Sequence, residues 1–196
     1  MNLRYWLRHP GQVPARLRYW WWERRNPDKP WLSPGAVAYL DGHLAAGMVG
    51  LEFGSGRSTA WFAGKLRHLT SVEHDPAWYA RVRADLDRRG VANVDYRLIP
   101  LDHPATEPEP PADGLVPAYA AAAADFPDGS LDLVVVDGHY RNFCVRAAVA
   151  KLRPGGLLVV DDAERWADGP PVPAGWPAVS RTGNGLKETG IWRRPE

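Results

Sequence analysis

The stretch Val49 to Ala60, V-G-L-E-F-G-S-G-R-S-T-A, restricts the fold more than any other part of the chain. The apolar run Met48 to Phe53 reads as a buried strand, and it ends in a turn carrying Gly54 and Gly56. A segment with helical spacing, Arg57 to Leu66, follows with no spacer. A strand, a glycine turn and a helix in that order predict the crevice end of a parallel α/β sheet. There the free N–H groups of a helix start receive a nucleotide-like ligand. Glycine at the turn lets the chain bend sharply and lets the ligand approach the backbone.

The acid inside the stretch narrows the ligand. Glu52 stands two residues before Gly54, at the strand end. A dinucleotide site needs G-x-G-x-x-G with a pyrophosphate over the turn, and the third glycine of that pattern is absent here. A carboxylate aimed into the crevice repels a pyrophosphate and suits a cationic ligand with an amino group. A second acid, Glu73, lies 21 residues after Glu52, at the end of the next predicted strand, His68 to Glu73. An acid at this spacing holds both ribose hydroxyls with its two oxygens.

Downstream segments keep the strand–helix alternation. Ser33-Pro34 starts a helix to about Ala46, with Val37, Leu40 and Leu44 inward and Gly47 as its stop. Asp75-Pro76 starts another, with Trp78, Val82 and Leu86 on one face. Asp95 to Ile99 is a third strand. The loop Pro100 to Gly114 is rich in proline and acids, and it belongs on the crevice rim. Its Asp102 is a candidate adenine contact or a plain exposed acid. Leu115 to Asp125 is alanine-rich and helical. The apolar run Leu131 to Val136 fits the buried centre of a parallel sheet and ends in Asp137-Gly138-His139-Tyr140-Arg141. A helix with Phe143, Ala147 and Ala150 inward follows. Arg153-Pro154-Gly155-Gly156 then precedes a fifth strand, Leu157 to Val160, which ends in Asp161-Asp162. Ala178 to Thr182 and Lys187 to Arg193 flank Asn184-Gly185, a strong hairpin signal.

Three motifs, E-F-G-S-G-R-S at 52–58, V-V-V-D-G-H at 134–139 and L-R-P-G-G-L-L-V-V-D-D at 152–162, resemble the class I SAM-dependent methyltransferases. The resemblance runs from about Pro30 to Trp192 and includes the terminal hairpin. It implies a Rossmann-like α/β fold: a mostly parallel seven-stranded sheet, helices on both faces and a C-terminal antiparallel hairpin. It implies S-adenosylmethionine as cofactor, held by Glu52, Gly54, Ser55, Gly56, Ser58, Glu73 and the backbone near Asp137. Ser58 stands where the family commonly has a third glycine. No N-P-P-Y-type motif follows strand four, which turns the expectation from amino groups towards a hydroxyl of a small molecule or sugar.

Asp137, His139, Asp161 and Asp162 fall at the ends of the two central strands, and three readings stay open. His139 takes the acceptor proton in a catalytic group with Asp137 and Asp161. Alternatively Asp137, Asp161 and Asp162 hold Mg²⁺ through hard oxygens, as in the metal-dependent O-methyltransferases that this pattern resembles. In the third, Asp137 orients the cofactor and the acid pair caps a helix. A competing class is a non-catalytic SAM-binding or interaction module. An NAD-dependent oxidoreductase is disfavoured by Glu52 and the missing glycine.

The first 30 residues differ from the rest. Seven basic residues against two acids share them with Trp6, Trp20, Trp21 and Trp22, although the whole chain has a net charge of only +1. We divide the chain into an N-terminal helical arm, 1–30, and a catalytic domain, 31–196. Leu3, Trp6 and Leu7 predict one helix face, and Val13, Leu17, Trp20 and Trp21 another after Pro14. The arm is either a lid packed on the domain or, through residues 1–25, a contact for a membrane surface or a partner. The near-zero total charge argues against a nucleic-acid partner bound by bulk charge. Arginines interrupt every apolar stretch of the N-terminus, unlike a secretory signal. The single cysteine, Cys144, leaves no disulfide framework and reads as a small core residue. The expected location is the cytoplasm, with a peripheral membrane position open through the arm.

Overall fold

The computed structural model describes residues 10–102 and 116–196. Its strands are β1 (Val49–Phe53), β2 (His68–Glu73), β3 (Val94–Leu98), β4 (Leu131–Val136), β5 (Leu152–Asp161), β6 (Ala178–Gly183) and β7 (Glu188–Arg193). They form one seven-stranded sheet in the order β3-β2-β1-β4-β5-β7-β6. Strands β1 to β5 are parallel, and β7 runs antiparallel between β5 and β6. The expected fold class is the observed one. The helices are α1 (Val13–Arg25), α2 (Pro34–His43), α3 (Arg57–Ala63), α4 (Pro76–Arg88), α5 (Ala118–Ala121) and α6 (Arg141–Ala148).

The sheet centre is dry on both faces because β4 and β5 are apolar at successive positions. Val134, Val136, Leu158 and Val160 pack with Leu51, Phe53 and the α5–α6 layer. Leu133, Val135, Leu157 and Val159 point the other way, onto Leu40 of α2 and Phe62 of α3. Each such fully buried side chain contributes roughly 1.5–3 kcal/mol. The strand order reverses at β1, whose neighbours are β2 and β4. Loops leaving β1 and β4 therefore diverge and open a crevice at their carboxyl ends.

Several expectations need correction. Helix α2 ends at His43 rather than Ala46, because Leu44 turns extended (φ −78°, ψ 143°). Helix α3 ends at Ala63, before Gly64, rather than at Leu66. Strand β5 starts at Leu152, five residues early. Leu131 pairs with Leu152 across an irregularity, and the N–H of Gly155 bonds the Arg194 carbonyl, so pairing continues through Pro154. The alanine-rich segment is one short α-turn, α5, continued as a 3₁₀ turn, Ala122–Asp125. Helix α6 buries Cys144, Val145 and Ala148, leaving Phe143 and Ala147 half-buried. Cys144 is a core residue, as expected.

Helix α1 does not bury the Val13, Leu17, Trp20 and Trp21 face that the lid reading required. Ala15 and Tyr19 are buried and Trp22 half-buried, whereas Leu17, Trp20 and Trp21 are exposed. Tyr19 stacks on Trp22 with centroids 5.7 Å apart, and its hydroxyl donates to the Leu32 carbonyl at 3.3 Å. Ala15 is small enough for the hairpin turn to approach. A Cβ on Gly185 would come 2.7 Å from the Ala15 Cβ. The Leu3, Trp6 and Leu7 face, most of the proline-rich loop (103–114) and the first residue of the alanine-rich segment lie outside the described residues. No helix among those described is long and apolar enough to cross a membrane.

Candidate cofactor and acceptor site

A cavity of about 540 Å³ opens where β1, β2 and β4 end, lined by Gly54, Ser55, Glu73, His74, Asp137 and His139 among others. Its floor is the glycine turn. Gly54 has φ +91°, and a Cβ there would lie 2.5 Å from the Gly138 backbone. Gly138 answers from β4's side, where a Cβ would lie 2.1 Å from the Tyr119 hydroxyl. Two glycines thus bring the β1 and β4 turns into contact, closer than any side chain permits.

Glu52 lies behind this turn and is fully buried. Its Oε2 accepts from the hydroxyls of Thr59 (2.7 Å) and Ser71 (2.6 Å). Its Oε1 is buried with no hydrogen-bond partner. Burial raises its pKa to about 7. Thr59 also accepts from the Gly56 N–H at 3.0 Å, which ties the acid to the helix start. Ser58 is buried in the first turn of α3.

Glu73 closes β2 and is 3% exposed. Its Oε1 accepts from the backbone N–H groups of His74 (2.8 Å) and Asp75 (2.9 Å). Its Oε2 accepts from the Ser55 N–H (3.2 Å) and hydroxyl (2.8 Å). The carboxylate is thereby locked at the lip of the glycine turn. The Ser55 hydroxyl also meets that of Tyr96 at 2.7 Å, and the Trp78 ring N–H holds the Ser55 carbonyl at 2.8 Å.

At the β4 end, His139 faces the cavity, with its ring centroid 5.1 Å from that of His74. Burial and the neighbouring His74 lower its pKa. The preceding acid, Asp137, contacts Arg141 at 3.2 Å. Burial and the Asp161 carboxylate push the Asp137 carboxyl up. Asp161 is fully buried and does not line the cavity. Its Oδ1 accepts from the Thr189 hydroxyl at 2.6 Å, and its Oδ2 pairs with the Lys187 ammonium. Asp162 pairs with Arg165 (2.8 Å) and Arg141 (3.3 Å). Burial pulls the Lys187 pKa down, but the Asp161 and Asp137 carboxylates outweigh it and the net shift is upward. Tyr140 and Asp162 both adopt left-handed backbone (φ 49° and 51°), so two strained non-glycine residues flank the ends of β4 and β5.

The acids Asp137, Asp161 and Asp162 do converge, with ligand oxygens within 4.8 Å of one another. Lys187, Arg141 and Arg165 already pair with the three carboxyl groups. The residues present do not fit a divalent cation there, since it would have to displace an ammonium and a guanidinium. Asp102 turns its carboxylate to the Ala118 N–H, at 3.0 Å.

Sequence reasoning missed Ser71, Tyr96, His74 and Lys187. Ser71 was findable, because it is the register partner of Glu52 across the β1–β2 pair. No sequence signal marks Lys187, which reaches Asp161 from the hairpin 26 residues on.

Residues 51–163, more than half of the chain, match a family described as a methyltransferase domain. No curated protein matches closely enough to count as a relative. Among solved structures, a methyltransferase-like protein from Silicibacter pomeroyi is 25% identical, with TM-score 0.57 over 86% of this chain and 89% of its own. A putative methyltransferase from Escherichia coli shares the fold at 15% identity, with TM-score 0.62 over 82% and 84%. A putative methyltransferase from Streptococcus mutans, in complex with SAH, shares it at 8% identity, with TM-score 0.58 over 80% and 93%.

Proposed function

The chain belongs to this methyltransferase domain family and is an S-adenosylmethionine-dependent methyltransferase, and on that premise we propose that it methylates a hydroxyl of a small molecule or sugar without a metal ion. The observation carrying the reading is His139, which faces the cavity beside the glycine turn while the nearby acids are paired with Lys187, Arg141 and Arg165.

The cradle fits the cofactor on two counts. At Gly54 there is no room for a side chain, which suits close backbone approach, and the Glu52 Oε1 is a buried acceptor without a partner. In this reading Glu73 holds the ribose hydroxyls, and Ser55 and Gly56 line the turn. Ser58 supports the helix start, and the backbone at Asp137 borders the adenosyl group. Glu52 and Asp137 present carboxyl oxygens to a cationic ligand, whose charge favours their ionised forms. Bound S-adenosylmethionine supplies a methyl group on a cationic sulfur.

This chain has to align an acceptor oxygen in line with that methyl, exclude water and take one proton. His139 takes the proton, because its lowered pKa keeps the imidazole neutral and able to accept near pH 7. Asp137 orients the pocket rim through Arg141. Asp161 has a positioning role, since its carboxylate is spent on Thr189 and Lys187. The Mg²⁺ alternative loses support on the same ground.

The test is methyl transfer from labelled S-adenosylmethionine to a panel of sugars, phenols and amines, with EDTA or with Mg²⁺. Oxygen-linked product unaffected by EDTA supports the reading. Transfer to amines alone, or transfer abolished by EDTA and restored by Mg²⁺, overturns it.

A further inference from the structure

Helix α1 carries two unlike faces. At 100° per residue, Ala15, Tyr19 and Trp22 point to the body of the protein. Leu17, Trp20, Trp21, Arg24 and Arg25, spaced i, i+3, i+4, i+7 and i+8, share the opposite side. Leu17 is 60% exposed, Trp20 41% and Trp21 54%. The Arg24 guanidinium lies 4.2 Å from the Trp20 ring centroid, and that of Arg25 lies 3.5 Å from the Trp21 centroid. Arg18, Arg24 and Arg25 are exposed, and none pairs with an acid among the described residues. The helix's one acid, Glu23, is off this stripe and tied to Arg16 at 3.2 Å.

We propose that this face of α1 docks on an anionic lipid bilayer. Trp rings with arginines folded over them match the boundary between headgroups and acyl chains, where an amphipathic ring and a cation are both satisfied. Charge complementarity selects the lipid. Residues 1–30 carry seven basic and two acidic residues, so the segment is +5 and the remaining chain −4. Such a polarised molecule turns its basic end to a negative plane. Cofactor binding and the choice of acceptor do not enter this argument.

The test is flotation of the full chain with vesicles of phosphatidylcholine alone and of phosphatidylcholine mixed with phosphatidylglycerol. The protein is expected to float with the anionic vesicles only. W20S/W21S should cut the partition coefficient about tenfold or more. R24Q/R25Q should cut it about thirtyfold at low salt, with a weaker salt dependence in what remains. All four positions are exposed, and an unchanged thermal shift with S-adenosylhomocysteine checks that each variant is folded. No flotation of wild type overturns the proposal, as does flotation of W20S/W21S at the wild-type level. A concentration-dependent dimer that these substitutions abolish, without vesicle binding, overturns it in favour of a second copy of the chain.

Discussion

Replacing Glu73 by glutamine separates a cofactor-holding carboxylate from a merely structural one. The wild-type carboxylate accepts four hydrogen bonds, two on each oxygen. A glutamine keeps the size and one acceptor. With that oxygen held by the His74 and Asp75 N–H groups, the amide nitrogen faces Ser55, and it cannot accept from Ser55 or from a ribose hydroxyl. The loss is one charge-assisted acceptor position, about 1.5–3 kcal/mol, or about 10- to 150-fold in Kd. Calorimetric titration with S-adenosylhomocysteine reads this directly. In thermal denaturation, ligand at about 100 times the wild-type Kd stabilises wild type by about 2.7 kcal/mol, roughly 5–10 °C at this size. The same concentration should stabilise the variant by about 1.4 kcal/mol or less. Ser55→Ala leaves the carboxylate in place and should cost less affinity. A folded Glu73→Gln protein with wild-type affinity would refute the assignment of Glu73 to the ribose.

Three further outcomes follow from the buried polar groups and the glycine contact. The folded pKa of Glu52, about 7, lies above its ordinary value of 4.5. The folded state therefore binds the extra proton, and stability present below pH 4.5 is lost as pH rises through 7. The total is on the order of 3 kcal/mol, so the stability of Glu52→Gln measured by urea unfolding should fall less between pH 5 and 8 than that of wild type; parallel curves refute this. Lys187→Ala strips the fully buried Asp161 of its cation and should cost about 3–5 kcal/mol in chemical denaturation; a loss below about 1 kcal/mol would mean that the pair is solvated. Gly138→Ala drives a Cβ into the Tyr119 hydroxyl and should destabilise by about 1–3 kcal/mol. Adding Tyr119→Phe should recover part of that loss, and a strictly additive double variant argues against the contact.

Elements whose signals are local were legible in the sequence. Strands β2 and β4 have the expected bounds, and each is closed by an acid, Glu73 and Asp137. The hairpin follows from Asn184-Gly185, where Gly185 takes φ +83° and the Asn184 Oδ1 accepts the N–H groups of Leu186 and Lys187. Helix and strand bounds drifted where a terminal residue had no strong cap or where pairing overrode propensity, as at Leu44 and Leu152. Helix α1 shows the limit of periodicity. Its tryptophans and its Ala15–Tyr19–Trp22 face both recur at helical spacing, and hydrophobicity alone does not say which side packs. The close approach of Gly185 and the hydrogen bond to Leu32 decided it.

By itself the sequence determined the parallel sheet, the glycine turn after β1 and the two acids, Glu52 next to the end of β1 and Glu73 at the end of β2. Those features are written in residue type and spacing over a few turns of chain. Only the tertiary structure decided what becomes of Asp137, Asp161 and Asp162. A metal triad, a base's partners and helix caps all stay open for them until the hairpin carries Lys187 onto Asp161 and α6 carries Arg141 between the other two. The charge state of a buried acid depends on which cation the fold brings within a few ångströms, and that distance is not encoded at any single position.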